Sequence, residues 1–188
     1  AEAPKKLKKM TATKFASVLG LNKWSTPFQM WCEITKTYEK PFEDTKYTIF
    51  GKTVEDQLIK YAGKHLPNVV SIADYYGDVF DEYRYDNFKY DSKIGGGVMD
   101  AVTTLNDGKT ITSIIECKTS SHPEQWANNN VPVQYALQGA LYAYLKKVDS
   151  VVFVCTFPTD LDYGHPDRYL VADSNTIFRV VKLKDLVF

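Results

Sequence analysis

Two short runs and the turn between them decide how this chain is read: Gly95-Gly96-Gly97-Val98-Met99-Asp100-Ala101-Val102-Thr103-Thr104-Leu105, then Asn106-Asp107-Gly108, then Thr110-Ile111-Thr112-Ser113-Ile114-Ile115-Glu116-Cys117-Lys118. Residues 98–105 and 110–118 carry β-branched side chains at strand spacing. Asn-Asp-Gly is a strong hairpin signal because its residues tolerate the backbone of a tight reversal. The triple glycine reads as a turn, and residues 79–90 before it, rich in aromatics, read as a further strand. Residues two apart on a strand face the same way, so Glu116 and Lys118 aim together and Cys117 turns away. Asp100 lies on the strand paired with theirs.

Charges at the end of an apolar strand cost free energy unless something answers them. A divalent cation is one answer. Hard cations such as Mg2+ take carboxylate and carbonyl oxygens, and Asp100, Glu116 and the backbone carbonyl of Cys117 form such a set. An ion there would polarise a phosphoryl oxygen and acidify a water. Lys118 would orient that water or steady developing negative charge. The other answer is a cross-strand salt bridge in which a carboxylate simply neutralises Lys118.

Outward from this core, helical spacing covers residues 13–19, ending at Gly20 as a C-terminal glycine. Ser25 or Thr26 can cap a second helix, with Pro27 in its first turn and Phe28, Trp31 and Ile34 on one face. A third helix spans 48–62, with Phe50, Val54, Leu58 and Tyr61 recurring along it and Gly63 closing it; Gly51 and Glu55 share one side. Residues 119–130 read as a loop whose Trp126 and Asn128-Asn129-Asn130 either meet DNA by stacking and amide contacts or lie on the surface. Pro132 opens a helix to about 147. Residues 150–157 form a strand buried on both faces, 158–166 a loop, and 169–172 and 177–183 two closing strands. The expected fold is α/β, a mixed sheet of four or five strands flanked by helices.

The chain has 188 residues and 44% hydrophobic side chains. That suits one domain over residues 11–188 behind a basic extension over 1–10 that holds Lys5, Lys6, Lys8 and Lys9. The formal net charge is zero, so nucleic-acid binding would have to rest on a local patch. Cys32, Cys117 and Cys155 are widely spaced and make neither a CxxC pair nor a zinc signature, which points to reduced thiols in a cytoplasmic setting. No stretch is long and apolar enough to span a membrane. His65, His122 and His165 are scattered, and only His122 follows closely on Lys118.

In this order the motifs resemble the PD-(D/E)XK nucleases, specifically the phage lambda exonuclease and YqaJ-type recombinase group. Val98-Met99-Asp100 with Glu116-Cys117-Lys118 is similar to the family core, with Met99 at the proline position. Gly51-x-x-x-Glu55 resembles the group's upstream helix. Pro132-x-x-Tyr135-x-x-Gln138-x-x-x-Tyr142 resembles the helix after the lysine, and Thr11-Ala12-Thr13 through Trp24-Ser25-Thr26-Pro27 resembles the opening segment. The resemblance implies a restriction-endonuclease-like core. It also implies Mg2+- or Mn2+-dependent hydrolysis of DNA by Asp100, Glu116, Lys118, Glu55 and Gln138, with Glu55 as a further metal ligand. Thr13 falls where similar proteins place a serine near a 5′ phosphate, and it is also placed to cap a helix. Thr13, Ser25, Tyr142, Lys6 and Lys9 are the candidate DNA contacts, the two lysines standing where lambda-type enzymes carry an arginine. The group further implies an exonuclease of phage recombination, trimeric in some members and working with a single-strand annealing protein. An endonuclease of the same fold and an inactive binding domain are the alternatives.

Overall fold

The computed structural model describes residues 9–38, 40–85 and 95–186. Strand β1 (Met10–Thr11) leads into helix α1 (Ala12–Val18). Gly20, at φ +73°, takes the left-handed turn that follows. Helix α2 (Pro27–Thr35) starts in a capping box: Gln29 N–H donates to the Thr26 hydroxyl, and Thr26 N–H donates to the Gln29 side chain. Helix α3 (Lys46–His65) is capped in the same way by Thr45 and Thr48 and buries Phe50, Val54, Leu58, Tyr61 and Ala62. Gly63 does not end it. Val54, Leu58 and Ala62 keep burial going at helical spacing, and the chain leaves the helix only at Leu66, which is extended.

Strand β2 (Val69–Ser71), helix α4 (Ile72–Tyr76), a 3-10 turn at Gly77–Val79 and helix α5 (Phe80–Tyr85) come next. The strand expected over 79–90 is therefore helical as far as Tyr85, and 86–90 lie outside the described residues. Phe80 and Tyr83, three apart, both turn to the core. Tyr83 is fully buried, stacks on Tyr76 with ring centroids 4.0 Å apart, and donates to the Gly97 carbonyl at 2.9 Å. Aromatic-rich sequence reads as strand locally; this tertiary anchor overrides it.

The glycine run is not a free turn either. Gly95–Gly96 form strand β3, paired in parallel with β1. A Cβ on Gly97 would lie 1.7 Å from Cε1 of Tyr142, so the bare backbone is what lets that ring sit against it. Strands β4 (Ala101–Thr104) and β5 (Ile111–Thr119) form the expected hairpin. Its turn is fixed by Asp107, whose carboxylate accepts from the backbone of Lys109 and Thr110. Helix α6 (Val133–Lys146) crosses to strand β6 (Ser150–Thr156), which runs parallel to β5. A short helix α7 (Asp160–Tyr163) interrupts the loop expected over 158–166, and strand β7 (Thr176–Lys182) closes the sheet. Residues 169–172 form no strand. There Gln57 of α3 donates to the Tyr169 carbonyl and accepts from Val171 N–H, so a side chain takes the place of a ladder.

The sheet order is β2-β4-β5-β6-β7, with β5–β6 parallel and the other pairs antiparallel. This is the expected α/β class with a mixed five-stranded sheet. Helices α1 and α6 cover one face, on a core of Ile114, Phe153 and Tyr142. Helix α3 covers the other, on Ile115, Val152 and Val154. Residues 119–130 contain a 3-10 turn at Pro123–Trp126, and Trp126 is buried against Tyr135 and Phe153. Arg179 donates to its carbonyl through Nε and Nη2. Trp126 is thus a core residue and presents no face for base stacking. No helix among the described residues is long and apolar enough to cross a membrane.

Candidate active site

The alternation expected along β5 holds. Ile114, Glu116 and Lys118 face α6, and Ile115 and Cys117 face α3. Asp100 stands just before β4, next to β5 in the hairpin, and its Oδ2 accepts from the Cys117 N–H at 2.7 Å. This bond ties the acid before one strand to the backbone between the other two candidates. Glu116 is almost fully buried. Its Oε2 lies 3.5 Å from Lys118 Nζ, while its Oε1 is buried without a hydrogen-bond partner. Lys118 Nζ donates to Gln138 Oε1 at 2.9 Å and sits 4.8 Å above the centre of the Tyr135 ring.

Gln138 and Tyr142 are one turn apart on the same face of α6. Tyr142 is buried. Its hydroxyl donates to the Val98 carbonyl at 3.1 Å and takes the Gln138 amide at 3.5 Å. Tyr142 is accordingly a pillar that holds the 97–99 segment under Asp100 and the amide that grips Lys118. A DNA contact by its side chain finds no support in that burial. Thr13, at the start of α1, reaches the same hydroxyl.

Glu55 enters from the other side of the sheet, on α3. With Gly51, Leu58, Cys117, Lys118, Thr119 and Tyr135 it lines a cavity of about 210 Å³ at the strand ends. Gly51 has room for a Cβ, which would meet Thr119 Oγ1 at an ordinary 3.8 Å. Burial pushes the Glu55 carboxyl up to about 7, with the Asp100 charge adding to it. Burial also raises Asp100 and lifts Glu116 well above the usual carboxylate range. The three acids are near enough to feel one another's charge, and all are shifted against ionisation. Such a place calls for positive charge beyond what Lys118 provides.

The donor set fits a hard cation: Asp100, bonded to the Cys117 N–H, and the neighbouring Glu116, one of whose buried oxygens has no partner. Among the described residues no three His, Cys, Asp or Glu side chains gather closely enough to hold a metal by themselves. A protein ligand beyond Asp100 and Glu116 would therefore come from the backbone, as at Cys117.

Other candidates fall elsewhere. Ser25 lies in a groove beside α2. Lys9 is half-buried at the start of the described chain, and Lys5, Lys6 and Lys8 lie outside the described residues. His122 is exposed and paired with Glu124 at 3.0 Å. Tyr135 and Thr119 belong to the cavity although the pattern of acids did not point to them. For Tyr135 a signal existed: it precedes Gln138 by three residues, hence shares its side of the helix.

A mixed sheet with an acid pair and a lysine at adjacent strand ends, covered by a helix carrying Gln138, has the architecture of the restriction-endonuclease-like nucleases. Residues 4–145 match the YqaJ-like viral recombinase domain, and the chain belongs to that family. It is similar to an uncharacterised protein of Mycoplasma genitalium, 24% identical over 94% of this chain and 73% of that one. It is also similar to the YqaJ protein of Bacillus subtilis, 27% identical over 64% of this chain and 34% of that one. Among solved structures, a phage-related exonuclease from Haemophilus somnus superposes with a TM-score of 0.56 at 16% identity, over 94% of this chain and 85% of that one. An alkaline exonuclease from Laribacter hongkongensis superposes with a TM-score of 0.59 at 15% identity, over 94% and 78%. At such identities the structures establish the shared fold; the family supports a nuclease.

Proposed function

We propose that this chain is a divalent-metal-dependent deoxyribonuclease that hydrolyses phosphodiesters at the ends of double-stranded DNA, as in phage-type recombination. The observation that carries the reading is the buried, unpartnered Oε1 of Glu116 beside Asp100 and Lys118. An acid buried for structure alone would have both oxygens answered. Mg2+, or Mn2+ in its place, held by Asp100, Glu116 and the Cys117 carbonyl would supply the charge that keeps both carboxylates ionised and polarises a phosphoryl oxygen.

The side chains divide the remaining work. Gln138 and the Tyr135 ring hold the Lys118 ammonium in the cavity, where it offers a fixed positive charge to a phosphate or to the oxygen that attacks it. Glu55, whose carboxyl burial and the Asp100 charge push up to about 7, is the acid available to exchange a proton at the cavity wall or to a further ion. Thr13, exposed at the start of α1, would meet the DNA backbone, and Lys6 and Lys9 stand as DNA contacts on the family resemblance alone. The same resemblance extends to a cytoplasmic homo-oligomer acting with a single-strand annealing protein.

The test is digestion of linear and of covalently closed circular duplex DNA with Mg2+, beside EDTA and Lys118→Ala controls. Loss of the linear form alone, with both controls inactive, is the expected result. Cutting of the circle would transfer the chain to the endonucleases of this fold. Failure to cut either form with any divalent cation would leave it a binding domain.

A further inference from the structure

Lys118 is gripped from two sides, by the Gln138 amide and by the Tyr135 ring. Gln138 is backed by Tyr142, which is itself tied to the Val98 carbonyl. Tyr135 is backed by the loop that follows the lysine. Across residues 121–130 Trp126 is the single buried side chain. Its ring stacks on Tyr135, with centroids 5.9 Å and planes 26° apart, and meets Phe153 and Phe157 at steeper angles. Its indole N–H is buried without a partner. An unanswered donor costs free energy, so what the burial secures is the contact of the ring.

Arg179 fixes the other end of this contact. It lies on edge strand β7 directly opposite Phe153 of β6. Partners directly opposite share a face of the sheet, and Phe153 packs on the side that α6 covers. On that side Nε and Nη2 of Arg179 donate to the Trp126 carbonyl at 3.1 and 2.7 Å, while Nη1 donates to the Phe178 carbonyl at 2.8 Å. Charged donors make stronger hydrogen bonds than neutral ones, and two of them on one oxygen hold the loop at that point.

We propose that Trp126 and Arg179 are positioning residues for Lys118: Arg179 pins the loop at Trp126, and the Trp126 ring sets the Tyr135 face on which the ammonium rests. Neither residue lines the catalytic cavity; both act through Tyr135. Without that backing Tyr135 is free to turn away, and Gln138 is the tether left to a long, flexible side chain. The effect on cleavage rests on the nuclease reading; the effect on the lysine does not.

The experiment measures the accessibility of Lys118 in the whole chain in EDTA, by reductive methylation with formaldehyde and cyanoborohydride, read peptide by peptide by mass spectrometry. Lys14 is the internal reference: its side chain is 19% exposed against 16% for Lys118, and Glu33 holds it instead of Tyr135. Arg179→Met, which keeps the stem and removes the donors, should raise the labelling rate of Lys118 about fivefold and leave that of Lys14 as it was. In Mg2+ the same variant should lower kcat on linear duplex DNA about tenfold with KM little changed. Trp126→Leu should match it, while Arg179→Lys and Trp126→Phe, which keep a charged donor and a ring, should restore most of both properties. Unchanged Lys118 labelling in Arg179→Met would overturn the proposal. So would a rise shared equally by Lys14, which would mark general loosening. Faster Lys118 labelling in Arg179→Met, when the unaltered chain cuts no DNA, would remove the nuclease reading and leave the clamp; DNA cutting with unchanged labelling would do the reverse.

Discussion

Two polar clusters are buried in the same sheet, and they are built on opposite principles. At the β6–β7 end, the Thr156 hydroxyl meets the Tyr169 hydroxyl at 2.7 Å, the Thr176 hydroxyl at 3.0 Å and the Asn175 carbonyl at 3.2 Å. Asn175 in turn accepts from Ala172 N–H and donates to the Leu170 carbonyl. Its members are neutral and hydrogen-bonded to one another. At the β4–β5 end, Asp100, Glu116 and Glu55 are shifted against ionisation, and one oxygen of Glu116 has no partner. A satisfied network of neutral groups stabilises one fold. A buried carboxylate oxygen left without a partner costs far more than a neutral group such as the equally unpartnered Trp126 indole N–H. Burial alone therefore does not separate the two clusters; unanswered charge does.

The sharpest way to break the comparison is to remove one member from each cluster. Lys118→Ala or Asp100→Ala should lower DNA cleavage by at least about a hundredfold with the fold retained. If either variant fails to fold, the acid–lysine cluster is a structural salt bridge like any other. Thr156→Val should do the opposite, costing about 1–3 kcal/mol of stability because Tyr169 and Thr176 lose a buried partner, with cleavage per folded molecule unchanged; denaturant unfolding measures it.

Gly97→Ala tests the join between fold and site. The new methyl would meet the Tyr142 ring at 1.7 Å, and that ring is buried and hydrogen-bonded, so the 97–99 segment must move. A loss of about 1–3 kcal/mol is expected, with cleavage falling as Asp100 shifts. Normal activity in this variant would show that Tyr142 does not set the position of the acid.

These outcomes bear on what the sequence could reveal. The hairpin, its Asn-Asp-Gly turn, the alternation of Glu116 and Lys118 against Cys117, and the buried run at 150–156 were all legible, because period-two patterning and turn chemistry act locally. Helix α5 was not: Tyr83 is fixed by stacking on Tyr76 and by the Gly97 carbonyl fourteen residues on, contacts that strand spacing does not encode. Nor was the strand role of Gly95–Gly96, which depends on β1 arriving alongside. Within the site, acids and lysine were recognisable by type and spacing, whereas the burial of Tyr142 and Trp126 and the place of Tyr135 beneath the lysine follow from how α6 lies on the sheet.

The last expected effect is a pH dependence. A carboxyl whose folded value is raised, as Glu55 is from 4.5 to about 7, makes the metal-free protein lose stability as pH rises, because the unfolded chain releases its proton first. The loss from Glu55 begins near 4.5 and runs through about 7, and burial shifts Glu116 and Asp100 in the same direction. Thermal melts in EDTA across that window should fall, and Mg2+ should flatten the decline; the Thr156 network, being uncharged, contributes nothing to it. A melt that rises from pH 4.5 to 7 in EDTA would reverse the assignment of the two clusters.

The most direct test of the central claim is the rate at which end-labelled linear duplex DNA is degraded in Mg2+ by the unaltered chain and by Lys118→Ala. Loss of label with the first, and none above the EDTA background with the second at equal folded concentration, is the predicted result. Degradation by Lys118→Ala at the unaltered rate would contradict it and move the chemistry away from the Asp100–Glu116–Lys118 cluster.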